Sequence, residues 1–189
     1  MLKDLIIKNR SYRRFYENVS ISTETLKELV DLARNTPSSV NSQPLKYKIV
    51  YNKEDNEKVF STLSWAGMLK DWSGPETGER PSAYIIILCD LSIVSSRPVD
   101  VGIVAQTMML GAVEKGLGGC MLGSINRTKL ASDLSVDLEK YSIELVLAIG
   151  KPKETVKLIE LPENGSTAYF RDNSGVHYVP KRSLEEILI

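Results

Sequence analysis

The continuous apolar run at residues 83–89, AYIIILC, constrains the fold of this chain more than any other feature. A strand with one face in water alternates apolar and polar residues, whereas this run carries no charged residue on either face. It therefore predicts a central strand that is buried on both faces. A second segment rich in apolar residues, at 143–149, ends at Gly150 and predicts another buried strand.

Helical spacing of apolar residues predicts the elements that surround these strands. Ser22 is a good N-cap for a helix that should end before Pro37. The longest predicted helix covers residues 100–115, and we expect its Gly102 and Gly111 to allow close approach of another element or subunit. The remaining predictions are a strand at 47–51, helices at 57–63 and 128–134, an irregular excursion at 65–81 and a polar connection at 151–165.

Composition excludes several classes of protein. The chain has 189 residues, enough for the single domain at 1–189 that we expect, and its 24 basic and 24 acidic residues argue against a nucleic-acid binder with a broad basic face. Cys89 and Cys120 lack metal-ligand spacing, which predicts no metal site, and their scarcity fits a reducing compartment. No signal peptide or membrane span is evident, so a cytoplasmic location is expected.

Cationic residues cluster near both ends of the chain. The segment Arg10-Ser11-Tyr12-Arg13-Arg14-Phe15 places three guanidinium groups and a hydroxyl within five positions. Such groups can grip a phosphate or carboxylate bidentately, although a solvated basic turn is the alternative. Lys181 and Arg182 form a second pair, and the two clusters could converge on one anion.

Two further segments contain candidate ligand-binding residues. The loop at residues 36–44 is bounded by two prolines and is rich in short polar side chains, which suit either an ordinary surface loop or the polar edge of a flat ring. Glycines at 116–119 should close the long helix, and Gly123 lets backbone come close to a ligand. The polar residues between the two prolines of the 36–44 loop are Ser38, Ser39, Asn41, Ser42 and Gln43.

Nucleophilic catalysis by side chains is not indicated. His177 is the only histidine, and a lone histidine is more often structural than catalytic. The sequence therefore supports no Ser-His-Asp or Cys-His arrangement. No glycine-rich phosphate loop of the dinucleotide or P-loop type is present. We therefore expect the chemistry to belong to a cofactor and no side chain to be catalytic.

With these motifs in order, the chain resembles the nitroreductase-like family of FMN-dependent oxidoreductases over nearly its whole length. The resemblance rests on four motifs: Arg10-Ser11-x-Arg13-x-Phe15, Pro37-Ser38-Ser39-x-Asn41-x-Gln43-Pro44, the glycine-rich turn at 119–124, and Pro180-Lys181-Arg182. It implies an α+β fold with a mixed central β-sheet flanked by helices. It also implies a homodimer with two FMN sites at the subunit interface.

The resemblance also implies roles for individual residues. Arg10, Ser11 and Arg13 would hold the ribityl phosphate and the polar flavin edge, and Arg182 with Lys181 would complete the phosphate clamp. Four side chains would meet the flavin, from the partner subunit: Ser38, Ser39, Asn41 and Gln43. Backbone N–H groups of Leu122 and Gly123 would face the flavin near N5. Arg14 would lie at the surface.

The implied activity is electron transfer from NADH or NADPH through FMN to a small acceptor, such as a nitroaromatic or a quinone, with ping-pong kinetics. The chain departs from better-known members at Leu45, where many have an aromatic residue, and at 65–81, which matches no known flavin contact. A non-catalytic flavin-binding or redox-sensing protein is one alternative. A protein that binds another phosphorylated ligand is a second.

Overall fold

A computed structural model describes residues 1–69 and 71–189, which form two β-sheets and six α-helices. The helices are α1 (Leu2–Lys8), α2 (Thr23–Arg34), α3 (Lys53–Phe60), α4 (Pro98–Glu114), α5 (Arg127–Leu134) and α6 (Leu184–Ile187). The strands are β1 (Leu45–Val50), β2 (Ala83–Asp90), β3 (Gly118–Leu122), β4 (Tyr141–Gly150), β5 (Val156–Glu160), β6 (Phe170–Arg171) and β7 (His177–Lys181).

The larger sheet has the strand order β1-β2-β4-β3, and its pairs are antiparallel. Strand β2 pairs with β1 on one side and β4 on the other, so that Ile85 lies opposite both Ile49 and Leu147. All eight residues of β2 are buried. The apolar run therefore forms a central strand, as predicted.

Helices cover both faces of this sheet, which explains why β2 has no polar face. Ile85 and Ile87 pack into one core with α2 and α4, whereas Tyr84, Ile86 and Leu88 pack into a second core with α3 and α5. Complete burial of one such side chain stabilises the fold by about 1.5–3 kcal/mol relative to exposure. Alternating residues of one strand thus hold two layers together.

Short polar side chains define the helix boundaries. Ser22 accepts a hydrogen bond from the Thr25 N–H at 3.1 Å and begins α2, as predicted. Asn52 accepts the Asp55 N–H at 2.8 Å, so α3 begins four residues before the predicted position 57 and ends at Phe60. The capping asparagine overrides the apolar spacing on which the prediction depended.

The smaller sheet has the order β5-β7-β6, with β5 parallel and β6 antiparallel to β7. The prediction of a polar connection over 151–165 is wrong at its centre, because β5 lies there. Strand β5 pairs with β7, which is distant in sequence, and this partner is invisible to a local pattern. The α+β class is confirmed, with antiparallel pairing in the larger sheet and both kinds in the smaller.

Two glycines lie where other elements approach closely. A Cβ at Gly111 would be 2.5 Å from Leu32 Cδ1, so α2 packs directly on α4 as expected for this position. Gly102 has no such neighbour within 4 Å among the described residues. A Cβ at Gly119 would overlap the backbone carbonyl of Ala148 and lie 2.8 Å from Met109 Cε.

We expect Gly119→Ala to lower the free energy of unfolding by about 1–3 kcal/mol, since its methyl group would strain the β3–β4 pairing. Gly67→Ala is the matched control, because a Cβ at this position would meet no atom within 4 Å in the part of the chain that the structure describes. Urea unfolding of both variants measures the difference. Equal stability of the two would contradict the close approach of β3 and β4.

Candidate functional site

The arginine-rich segment 10–15 is fixed along β3 and is not a solvated turn. The Tyr12 N–H donates to the Gly119 carbonyl at 2.9 Å, and Ser11 forms a parallel bridge with Gly119. At the end of the segment, Phe15 is fully buried and its N–H donates to the Glu79 carbonyl at 2.9 Å. Backbone hydrogen bonds and one aromatic anchor therefore set the directions of the arginines.

The three arginines of this segment have different environments. Arg10 Nη2 donates to the Ile6 carbonyl at 2.6 Å. Arg13 is only 9% exposed and lies 4.8 Å from the centroid of the Tyr169 ring. Arg14 instead forms an ion pair with Glu79, which raises the pKa of Arg14, and this pairing satisfies its charge.

Strand β7 brings a distant cation to the same place as Arg10 and Arg13. A cavity of about 290 Å³, which we call the cationic cavity, is lined by Asn9, Arg10, Ser11, Arg13, Tyr169, His177, Val179 and Lys181. Three of these lining residues are cationic and none is acidic. The Nε atoms of Arg10 and Arg13 are buried without a hydrogen-bond partner among the described residues. The cavity is therefore suited to an anion with several oxygen atoms.

Charges behind the cavity do not cancel this positive potential. Glu154 accepts the backbone N–H of Arg13 and is paired with Arg171 Nη2 at 2.9 Å. His177 is buried, and burial lowers its pKa to about 4, with further repulsion from Arg13 and Arg171. The imidazole is thus neutral at pH 7. The excess charge at the cavity comes from Arg10, Arg13 and Lys181.

A second cavity of about 180 Å³ adjoins the first and shares Asn9, Arg10 and Ser11 with it. We call it the amide cavity, because Asn9 Nδ2 donates to Gln106 Oε1 at 3.3 Å in its wall. The other lining residues are Met109, Gly119 and Met121. Polar amides beside polarisable thioethers suit a flat heterocycle with a polar edge.

Sequence reasoning missed Gln106 and Met121. Gln106 is a polar residue within the mostly apolar helix α4, a signal that could have been noticed. Met121 gave no such signal, because methionine in a strand normally indicates core packing. Its exposure follows from alternation along β3, which directs Cys120 and Leu122 into the core and Met121 to the opposite face.

The polar loop at 38–43 lies on another part of the chain surface. Asp100 anchors it, accepting the Ser38 hydroxyl at 2.6 Å and the Ser39 N–H. Asn41 and Gln43 have positive φ, and Gln43 Nε2 donates to Asn41 Oδ1 at 3.2 Å. Such conformations are costly for residues other than glycine and concentrate at functional sites.

This loop does not line the cationic or amide cavity of its own chain. Ser38 and Gln43 line a separate cavity of about 410 Å³ beside Asp100 and Tyr47. Contact of Ser38, Ser39, Asn41 and Gln43 with a flavin held by the partner subunit therefore stays a prediction.

The remaining candidates also lie apart from the cationic cavity. Leu122 is buried at the end of β3, and a Cβ at Gly123 would meet no atom of the described residues within 4 Å. Arg182 forms an ion pair with Glu186 at 3.4 Å and lines a different groove. Of the two C-terminal cations, Lys181 joins Arg10, Ser11 and Arg13, whereas Arg182 does not. The roles of Leu122, Gly123 and Arg182 stay predictions.

Cys120, beside the proposed flavin turn, is not placed for nucleophilic chemistry. Its side chain is buried, and burial raises the pKa of its thiol, which is therefore protonated at neutral pH. Among the residues that the structure describes, no cluster of three histidine, cysteine or acidic side chains could hold a metal ion. Within the same residues, no helix is long and apolar enough to cross a membrane.

Comparison with known proteins identifies relatives of this chain. An oxygen-insensitive NADPH nitroreductase of Helicobacter acinonychis is 22% identical over 208 aligned positions, which cover 86% of this chain and 93% of that protein. A Desulfovibrio desulfuricans protein solved in complex with FMN superimposes with a TM-score of 0.72 at 20% identity, covering 100% of this chain and 95% of the other.

A third similar protein, a nitroreductase family protein of Clostridium difficile 630, has a TM-score of 0.68 at 22% identity and covers 98% of this chain and 95% of its own. These structural likenesses establish the fold. The profile of the "Nitroreductase family" matches residues 6–79 and 92–151, well over half of the chain. The two ranges include the arginine segment, the 38–43 loop and β3, and on this basis the chain belongs to the nitroreductase family.

Proposed function

We propose that this protein is an FMN-dependent oxidoreductase that transfers electrons from NADH or NADPH to a small acceptor such as a nitroaromatic or a quinone. The observation that carries the proposal is the convergence of Arg10, Arg13 and Lys181 on one cavity without an acidic residue in its wall. The names of two relatives support it, since one is an NADPH nitroreductase and the other was solved with FMN.

The residues of the two adjoining cavities fit the chemistry of FMN. A terminal phosphate carries close to two negative charges at neutral pH and offers three acceptor oxygens. The unpartnered Nε atoms of Arg10 and Arg13 and the ammonium of Lys181 are donors for these oxygens. The amide cavity supplies what the ring requires, namely amide groups for its polar edge and thioethers for its faces.

Bound FMN would supply the two-electron hydride chemistry that no side chain of this site offers. The chain's own residues would bind the cofactor and orient its ring. Arg10, Arg13 and Lys181 neutralise the phosphate, and Ser11 adds a hydroxyl donor. Gln106 and Asn9 fix the polar edge of the ring. Because one pocket would serve the nicotinamide and the acceptor in turn, we expect ping-pong kinetics.

The partner subunit would complete the site in a homodimer. Helix α1 packs on α4, and together they expose five apolar side chains to solvent: Leu2, Ile6, Ile7, Val99 and Ile103. Exposed apolar side chains grouped on two packed helices are characteristic of protein–protein interfaces. In that arrangement the 38–43 loop would reach the other subunit's flavin, while Leu122 and Gly123 would offer backbone N–H groups and Arg182 would support Lys181.

We expect Arg13→Ala to lose FMN. Removing one charged hydrogen-bonding partner costs about 1.5–3 kcal/mol, equivalent to roughly ten- to a hundredfold in dissociation constant. Fluorescence titration of the flavin-free protein with FMN measures this change in dissociation constant. Arg14→Gln is the matched control, since the neighbouring Arg14 is paired with Glu79 outside the cavity and this variant should keep wild-type affinity. Equal affinities of the two variants would refute the assignment of Arg13.

Reduction by a nicotinamide tests the enzymatic part of the proposal. Under anaerobic conditions, NADH or NADPH should bleach the flavin absorbance, and a quinone or nitroaromatic added afterwards should restore it. Flavin that is bound but not bleached by either nucleotide would indicate a storage or sensing protein instead. A colourless protein that gains no flavin on addition of FMN would exclude both and favour another phosphorylated ligand.

The flavin-loaded protein should be a dimer, because a ligand shared between subunits stabilises their association by mass action. Light scattering at micromolar protein concentration measures the mass, with Ile6→Lys as a variant that places charge on the exposed α1–α4 face. We expect this variant to shift toward monomer and to bind FMN less tightly. A flavin-loaded wild-type monomer would refute the shared site.

A further inference from the structure

His177 belongs to the wall of the cationic cavity together with two other residues of strand β7. Alternate residues of a strand share a face, and on β7 the side chains of His177, Val179 and Lys181 line the cavity together. The strand therefore presents an imidazole and an ammonium four residues apart to the same space. Tyr178, on the opposite face, donates instead to Asp172 Oδ2 at 3.1 Å.

The imidazole is fixed in position but its nitrogens are not satisfied. His177 is 1% exposed, and its ring stacks on Tyr169 with 5.1 Å between ring centroids. Neither Nδ1 nor Nε2 has a hydrogen-bond partner among the described residues. A buried donor without a partner is unfavourable, so a group that accepts from this ring would stabilise the site.

The neighbouring charges determine what kind of group can accept. Arg13 of the N-terminal segment, Arg171 of β6 and Lys181 of β7 face this region, and none of them can accept a hydrogen bond. The carboxylate of Glu154 is already engaged by Arg13 N–H and by Arg171. An acceptor that enters between these cations is therefore most favourable if it carries negative charge.

We propose that His177 is an additional phosphate-binding residue, which donates from a ring nitrogen to an oxygen of the FMN phosphate beside Arg13 and Lys181. The inference rests on the proposed function. In this role the neutral imidazole would orient the phosphate through a directional hydrogen bond, whereas Arg10, Arg13 and Lys181 would supply the positive charge.

Phosphate binding should also change the proton affinity of His177. In the flavin-free protein the pKa is about 4, because of burial and of repulsion from Arg13 and Arg171. A nearby dianion favours the imidazolium, so the pKa in the complex should be higher. When the pH lies between the two pKa values, the imidazole takes up a proton as FMN binds. By linkage, the affinity for FMN should then rise as the pH falls through that range.

Nuclear magnetic resonance can follow this group directly, because His177 is the only histidine and gives a single set of imidazole signals. Titration with and without FMN should show a pKa that is at least about one unit higher in the complex. Riboflavin, which lacks the phosphate, should leave the titration close to that of the free protein. Identical titrations with FMN and riboflavin would overturn the proposal.

Affinity measurements provide the second arm. His177→Phe keeps an aromatic ring against Tyr169 but removes the donor, and we expect FMN to bind about tenfold more weakly or worse. His177→Gln keeps an uncharged donor and should restore part of the loss. Riboflavin should bind both variants and the wild type alike, and Tyr178→Phe is the matched control on the other face of β7.

The outcomes separate this inference from the function on which it rests. A wild-type protein that binds neither flavin would overturn the proposed function itself. Wild-type FMN binding with equal affinity in His177→Phe would overturn only the role of His177. Equal loss of FMN and riboflavin in His177→Phe would show that the ring is structural, and it too would overturn the phosphate contact.

Discussion

Complete burial of β2 is the constraint on which the rest of the structure depends. Its residues alternate between two cores, so α2 and α4 must cover one face of the sheet while α3 and α5 cover the other. Pairing of β2 with both β1 and β4 leaves β3 at one edge of the sheet. That edge is where Gly119 accepts the N–H of Tyr12 and where the arginine segment is held. The position of the candidate site thus follows from the burial of a strand that contributes nothing to it.

Ion pairing decides which arginines give the cavity its positive charge. Arg14 and Arg13 are adjacent in sequence, but Glu79 neutralises Arg14 whereas Arg13 faces a cavity with no acid in its wall. A buried guanidinium without a carboxylate partner is unfavourable unless an anion is bound. Such a concentration of charge stabilises a ligand at the expense of the free protein. We regard the cationic cavity as preorganised for the phosphate that the proposed cofactor carries.

The structure also separates the 38–43 loop from the two adjoining cavities. The 38–43 loop is held by Asp100, with Val40 and Gln43 in backbone conformations that valine and glutamine rarely adopt, and yet it lines neither cavity of its own chain. Strain maintained by a buried carboxylate at the first turn of α4 is difficult to explain by folding alone. A loop prepared for a ligand held by a second subunit would account for it, and the exposed apolar faces of α1 and α4 point to the same arrangement.

The sequence by itself determined the buried strands, the cap at Ser22 and the presence of two cationic clusters, because each depends on local spacing or composition, and its family resemblance implied the α+β class. Tertiary structure decided which cations meet. Lys181 enters the cavity because strand alternation directs it there, whereas Arg182, one residue later, turns to Glu186. Strand β5 and the unpartnered ring of His177 were beyond sequence reasoning. Their roles arise from contacts between distant segments, and such contacts leave no periodic signal in the chain.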